Sequence, residues 1–151
     1  HVLGESDDLV NKKTRAVLDA GLACILCVGE KLEEREAGKT DAVNERQVRA
    51  GLAGVSPEHL AAGRLTIAYE PVWAIGTGKT ATAADAQDAH RKIRALIGSM
   101  MGPAAAAGVR IQDGGSWQAP NRAATDGGAE GGDREGRRGR GGRKAVGADH
   151  E

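Results

Sequence analysis

The chain has 151 residues, with 21 basic and 21 acidic side chains, a formal net charge of zero, 23 glycines and two cysteines. Balanced charge gives no field to draw it onto nucleic acid or a membrane surface, and no apolar run approaches the ~18 residues of a membrane span. Two cysteines without a secretory leader pattern point to a reducing compartment, so a soluble cytoplasmic protein is expected.

Taken in order, Ser6 can cap a helix whose apolar positions Leu9, Ala16, Val17 and Ala20 share one face, with Gly21 placed for its C-terminal cap. Residues 22–28 are a continuous apolar run of strand length, the pattern of a parallel strand covered on both faces. Gly38 ends a short charged turn of helix, and Thr40 opens a helix carrying Val43, Val48 and Leu52. Residues 65–69 form a β-branched and aromatic strand. Thr82 and Asp85 have capping-box spacing ahead of a helix bearing Ala86, Ala89, Ile93, Leu96 and Ile97. Residues 109–112 are a third short strand. Strands alternating with helices predict βαβ units, an α/β fold and a parallel sheet.

Beyond Gln112 the composition changes. Of the 39 residues 113–151, 11 are Gly and 7 are Lys or Arg, and Val146 is the only branched aliphatic among them. Such a stretch buries too little apolar surface to offset its ordering entropy, so a disordered tail is expected.

The most informative stretch is 68–78, Ala-Tyr-Glu-Pro-Val-Trp-Ala-Ile-Gly-Thr-Gly. Glu70 falls where a strand stops and the chain turns, which is where α/β folds place their chemistry. Pro71 stiffens the start of the loop, Ala74 and Ile75 form a small apolar tip, and Gly76 and Gly78 leave backbone N–H groups free to approach a ligand. An arbitrary Glu here would be a solvated strand-end carboxylate; its neighbours argue for a site.

This stretch, continued through Lys79, Thr80 and Ala81, resembles the signature of the triosephosphate isomerase family. Cys27-Val28-Gly29-Glu30 and the charged segment 31–40 look like that family's fifth strand and the loop after it, and His1 to Ser6 resemble the segment after its fourth. The resemblance runs over residues 1–116, leaving 117–151 as a Gly/Arg-rich tail. It implies part of a (β/α)8 barrel covering about strands five to seven, because 151 residues fall short of the ~200 a closed barrel needs. It also implies interconversion of dihydroxyacetone phosphate and D-glyceraldehyde 3-phosphate, a reaction of glycolysis and gluconeogenesis. In that family a Glu moves the proton, a neutral His polarises the carbonyl and loop closure excludes water.

Carried over by position, Glu70 is the general base. Pro71, Val72 and Trp73 form one hinge of a lid, and Lys79, Thr80 and Ala81 the other. Ala74, Ile75, Gly76, Thr77 and Gly78 are the tip between them. Gly76 and Ser116 would bind the substrate phosphate, Cys27 would support the base, and Glu30 would meet the hinge indole of Trp73; the bland alternative for Trp73 is core packing. Asp113 stands where the family has Tyr, and a carboxylate near a phosphate would repel it. The family's catalytic His and substrate-binding Lys have no match in these residues, so this piece alone is expected to be inactive. No cofactor and no metal are implied, and the family's homodimer is the expected assembly.

Three other motifs have weaker claims. Gly78-Lys79-Thr80 ends like a P-loop, but the Gly needed five positions earlier is Trp73. Cys24 and Cys27 are three apart on a strand and point to opposite faces, so they neither bridge nor share a metal, and Cys24 reads as core. The Arg-Gly tract 137–143 resembles an RNA-binding tail without aromatics; with it the alternative reading is a noncatalytic fragment with a basic Gly/Arg interaction tail.

Overall fold

The computed structural model describes residues 4–74 and 81–114. Three strands, β1 (Cys24–Val28), β2 (Leu65–Tyr69) and β3 (Arg110–Asp113), form a parallel sheet in the order β1-β2-β3. Helix α1 (Asp7–Asp19) precedes β1. Helices α2 (Leu32–Glu36), α3 (Thr40–Gly51) and α4 (Pro57–Ala61) lie between β1 and β2, and α5 (Ala83–Met101) and α6 (Pro103–Gly108) between β2 and β3. The α/β class and parallel sheet expected from the sequence are therefore present, with β3 one residue further along than 109–112.

Alternation along the strands gives the sheet two unlike faces. Leu26 and Val28, Leu65, Ile67 and Tyr69, and Val109 and Ile111 pack into one core with Val48, Leu60, Ile93 and Ile97 of the helices. On the other face the register aligns Cys27 with Ala68 and Ala68 with Gln112. Here the expectation that residues 22–28 are covered on both sides fails: Ile25 is 50% exposed, Leu22 is 60% exposed and Cys27 is exposed. The reason is position. β1 is an edge strand among the described residues, with a neighbour on one side only, and Leu22 lies before the strand begins.

Local signals explain the helix ends. The Ser6 hydroxyl accepts from the Leu9 N–H, and the far end of α1 closes as a Schellman motif. There Gly21, at φ 80°, donates to the Leu18 carbonyl, and Leu22 donates to that of Val17. The buried face of α1 differs from the expected one: Leu9, Ala16 and Ala20 are exposed, whereas Thr14 and Leu18 are buried and Val10 is partly so. Thr14 enters the core because its hydroxyl donates to the Val10 carbonyl at 3.0 Å. Apolarity alone cannot show that. Helices α4 and α6, absent from the sequence expectation, both begin on a proline, Pro57 and Pro103.

Candidate functional site

Both β1 and β2 end at the same edge of the sheet, and each is followed by a glutamate. Glu30 lies two residues past β1 and is wholly buried. Its carboxylate accepts from Trp73 Nε1 at 2.9 Å and from the Tyr69 hydroxyl at 3.1 Å, and Arg35 Nη1 lies 3.4 Å away. A buried carboxylate persists when donors replace its lost water, and here the donors surround it. Burial, followed by the charge of Glu30, pushes the Tyr69 phenol far above its ordinary value, so Tyr69 remains a donor.

Arg35 extends this cluster across the fold. Its guanidinium stacks on the Trp73 ring at 4.3 Å and reaches Asp85 at 2.9 Å. Asp85 closes a reciprocal capping box with Thr82 at the start of α5, as the sequence spacing predicts. Burial would raise the Asp85 carboxyl, but hydrogen bonds from the Thr82 hydroxyl and backbone and from Arg35 hold it below the usual range.

Glu70 is treated differently. It is half-buried, and its backbone N–H donates to the Val28 carbonyl at 2.7 Å. Extending the register one step past Val28, Tyr69 and Asp113 sets Glu70 between Gly29 and Gly114. Both glycines allow a close approach. A Cβ on Gly29 would overlap the Glu70 carbonyl, and one on Gly114 would overlap the Glu70 side chain. The Glu70 carboxylate therefore occupies space that any other residue at 114 would fill. Glu70 is also among the residues lining a cavity of about 410 Å³ formed mainly by α1, β1 and α3.

The sequence-derived candidates map as follows. Glu70, Cys27 and Glu30 converge on the same sheet edge, and Trp73 meets Glu30 as the resemblance implies. Pro71 is buried, and Val72–Ala74 form one 3-10 turn with Trp73 and Ala74 buried. Ala81 is described, whereas Ile75, Gly76, Thr77, Gly78, Lys79, Thr80 and Ser116 lie outside the described residues. Cys24 packs against the core, where burial pushes its thiol up, while Cys27 is exposed on the opposite face.

Asp113 closes β3. Its carboxylate does not share the face of Glu70. Like Ile111 it faces the helices, where Oδ1 lies 3.1 Å from Nε2 of buried His90, without the alignment of a hydrogen bond. Strand alternation dictates this, since 113 has the parity of the core face. The roles of Arg35, Gln47, Tyr69 and His90 were missed by sequence reading. Arg35 and Gln47 fall on exposed-looking polar helix faces, and only the fold shows what they meet. Among the described residues, no cluster of His, Cys, Asp and Glu is arranged to hold a metal, and no helix is long and apolar enough to cross a membrane.

Residues 1–129 match the family model described as triosephosphate isomerase. The chain belongs to the triosephosphate isomerase family. Among curated relatives named triosephosphate isomerase, that of Symbiobacterium thermophilum is 54% identical over 123 residues, covering 82% of this chain and 47% of the relative. The relative from Syntrophotalea carbinolica is 56% identical over 115 residues, 76% of this chain and 45% of its own length. The relative from Carboxydothermus hydrogenoformans is 57% identical over 118 residues, 78% of this chain and 46% of its own length. The chain thus spans about half the length of the curated relatives it matches. The family match continues past residue 116, where the resemblance read from the sequence ends.

Proposed function

We propose that this chain carries the general-base half of a triosephosphate isomerase, its three strands being about strands five to seven of a (β/α)8 barrel. The reaction is the interconversion of dihydroxyacetone phosphate and D-glyceraldehyde 3-phosphate, a cytoplasmic step of glycolysis and gluconeogenesis, through an enediol(ate). Glu70 removes the proton from one substrate carbon and returns it to the neighbouring one. The observation that carries this reading is the placement of Glu70: a half-buried carboxylate at the carboxyl end of a parallel strand, between two glycines, with its flanking residues anchored to Glu30. A carboxylate suits the step because exclusion of water on closure raises its basicity toward the operating pH.

Gly76 and Ser116 bind the phosphate in this reading, 71–81 form the lid with its hinges, Cys27 and Glu30 support the base, and the working enzyme is a homodimer. The reaction needs neither cofactor nor metal. These 151 residues alone do not turn over, since the family's His and Lys have no counterpart among them.

The test is reconstitution. The chain is refolded with the separately produced half of the Symbiobacterium relative that this chain does not match, and triose phosphate interconversion is measured. Isomerase activity that appears on mixing and falls by ~10²-fold or more with Glu70→Gln supports the reading. Full activity in the Glu70→Gln pair removes Glu70 from the base role. Binding of the chain to RNA, with no activity on mixing, favours the noncatalytic fragment with an interaction tail.

A further inference from the structure

We propose that Gln47 is a positioning residue for Glu70 and acts through the peptide groups of Gly29. This deepens the isomerase reading, on which the importance of Glu70 rests.

Gln47 stands on α3. Its Oε1 accepts from the Gly29 N–H at 2.8 Å, and its Nε2 donates to the Gly29 carbonyl at 3.2 Å. A primary amide carries a carbonyl acceptor and an NH2 donor side by side, so it satisfies both polar backbone groups of one residue, the service a neighbouring strand would give. Gly29 needs that service because it is buried and lies just past the end of β1, the edge strand among the described residues.

What Gln47 holds is the centre of a short strap. Residues 28–30 grip the segment 69–73 at several points. The Val28 carbonyl accepts from the Glu70 N–H at 2.7 Å, and the Glu30 carbonyl accepts from the Val72 N–H at 3.1 Å. The Glu30 carboxylate takes the Tyr69 hydroxyl and the Trp73 indole N–H. Gly29 sits in the middle of this strap, so close to Glu70 that a Cβ would overlap the Glu70 carbonyl oxygen. A shift of the Gly29 backbone therefore pushes directly on the backbone that carries the base. The hydrogen bonds of Gln47 go to the Gly29 backbone and not to the Glu70 carboxylate, so it acts through that backbone.

The test is residue-resolved amide hydrogen exchange on the 151-residue chain, with the Trp73 indole N–H resonance as a second signal. Gln47→Leu removes both hydrogen bonds. The Gly29, Glu70 and Val72 amides should then exchange about tenfold faster than any change seen at Ile93 and Ile97 of α5, which report global stability, and the Trp73 signal should move. Gln47→Glu keeps an acceptor for the Gly29 N–H but sets a carboxylate oxygen against the Gly29 carbonyl. Gly29 should stay protected while Glu70 and Val72 exchange faster. If Gln47→Leu does not fold, Gln47→Glu carries the test alone. Glu70 and Val72 exchange that tracks α5, with an unmoved Trp73 signal, overturns the proposal. Because exchange reports the placement of Glu70 whether or not a reaction occurs, a failed reconstitution assay and a failed positioning role are told apart.

Discussion

Glu30 and Glu70 follow adjacent strands at the same sheet edge, yet their surroundings are opposite. Glu30 is fully buried, with donors from Tyr69 and Trp73 and the Arg35 guanidinium close by. Glu70 is half-buried, is held through its backbone, and has a Cβ-free residue beside its carboxylate. The first arrangement spends a charge on holding the chain in place; the second leaves a charge available. Side-chain chemistry is identical in the two, so the difference lies in what the neighbouring residues supply and what they leave empty.

The largest expected effect comes from shortening the available carboxylate. In the reconstituted enzyme Glu70→Asp should lower turnover by ~10²-fold or more, because one methylene withdraws the base from the substrate carbon. Its free energy of unfolding from urea denaturation should stay within ~0.5 kcal/mol of wild type. Near-normal turnover would erase the contrast between the two glutamates.

Glu30→Ala should do the reverse. Removing the shared acceptor strands the Tyr69 and Trp73 donors in the core, a loss of about 3 kcal/mol in urea unfolding of the 151-residue chain. A loss below ~1 kcal/mol would mean that the cluster does not anchor the edge.

Gly114→Ala sharpens the comparison by filling the space beside Glu70. The added methyl must displace either the β3 end or the carboxylate, at about 1–2 kcal/mol. In the reconstituted enzyme turnover should fall more than substrate affinity. A stability loss with unchanged turnover would show that β3 yields and the base does not.

The smallest effect is on pH. Hydrogen bonds from Thr82 and Arg35 outweigh burial and hold Asp85 below its ordinary value. A carboxylate with a depressed folded value adds stability that is complete above its unfolded value of about 4 and is lost as pH falls through the lower, folded one. Arg35→Met should therefore lower stability most above about pH 4 and least in acid below the folded value, so that the acid limb of the stability profile flattens. An unchanged acid limb would remove Asp85 from the cluster's electrostatics.

Much of this was legible from the residues. Continuous apolar runs announced β1 and β2, the Thr82 and Asp85 spacing announced the start of α5, and Val43, Val48 and Leu52 are all buried as expected. Glu70 and Trp73 were legible through a run of residues whose order is itself a pattern. What stayed hidden was mostly long-range. Arg35 meets Asp85 across 50 residues and Gln47 meets Gly29 across 18, and neither partner marks its neighbourhood locally. The face of α1 was misread because a threonine hydroxyl satisfied by its own helix passes for a surface group. The approach of Asp113 to His90 was hidden because strand parity, and not the loop that follows, decides where its side chain goes.

The separations within the Glu30 cluster also set a timetable. Tyr69 and Trp73 reach Glu30 across 39 and 43 residues, so each of these contacts closes a long loop. Contacts that require closure of such long loops are made late, after the local helices have formed. Substitutions in this cluster should therefore accelerate unfolding far more than they slow refolding. The residues that anchor the segment around Glu70 would be the last to arrive when the chain folds and the first to let go when it opens.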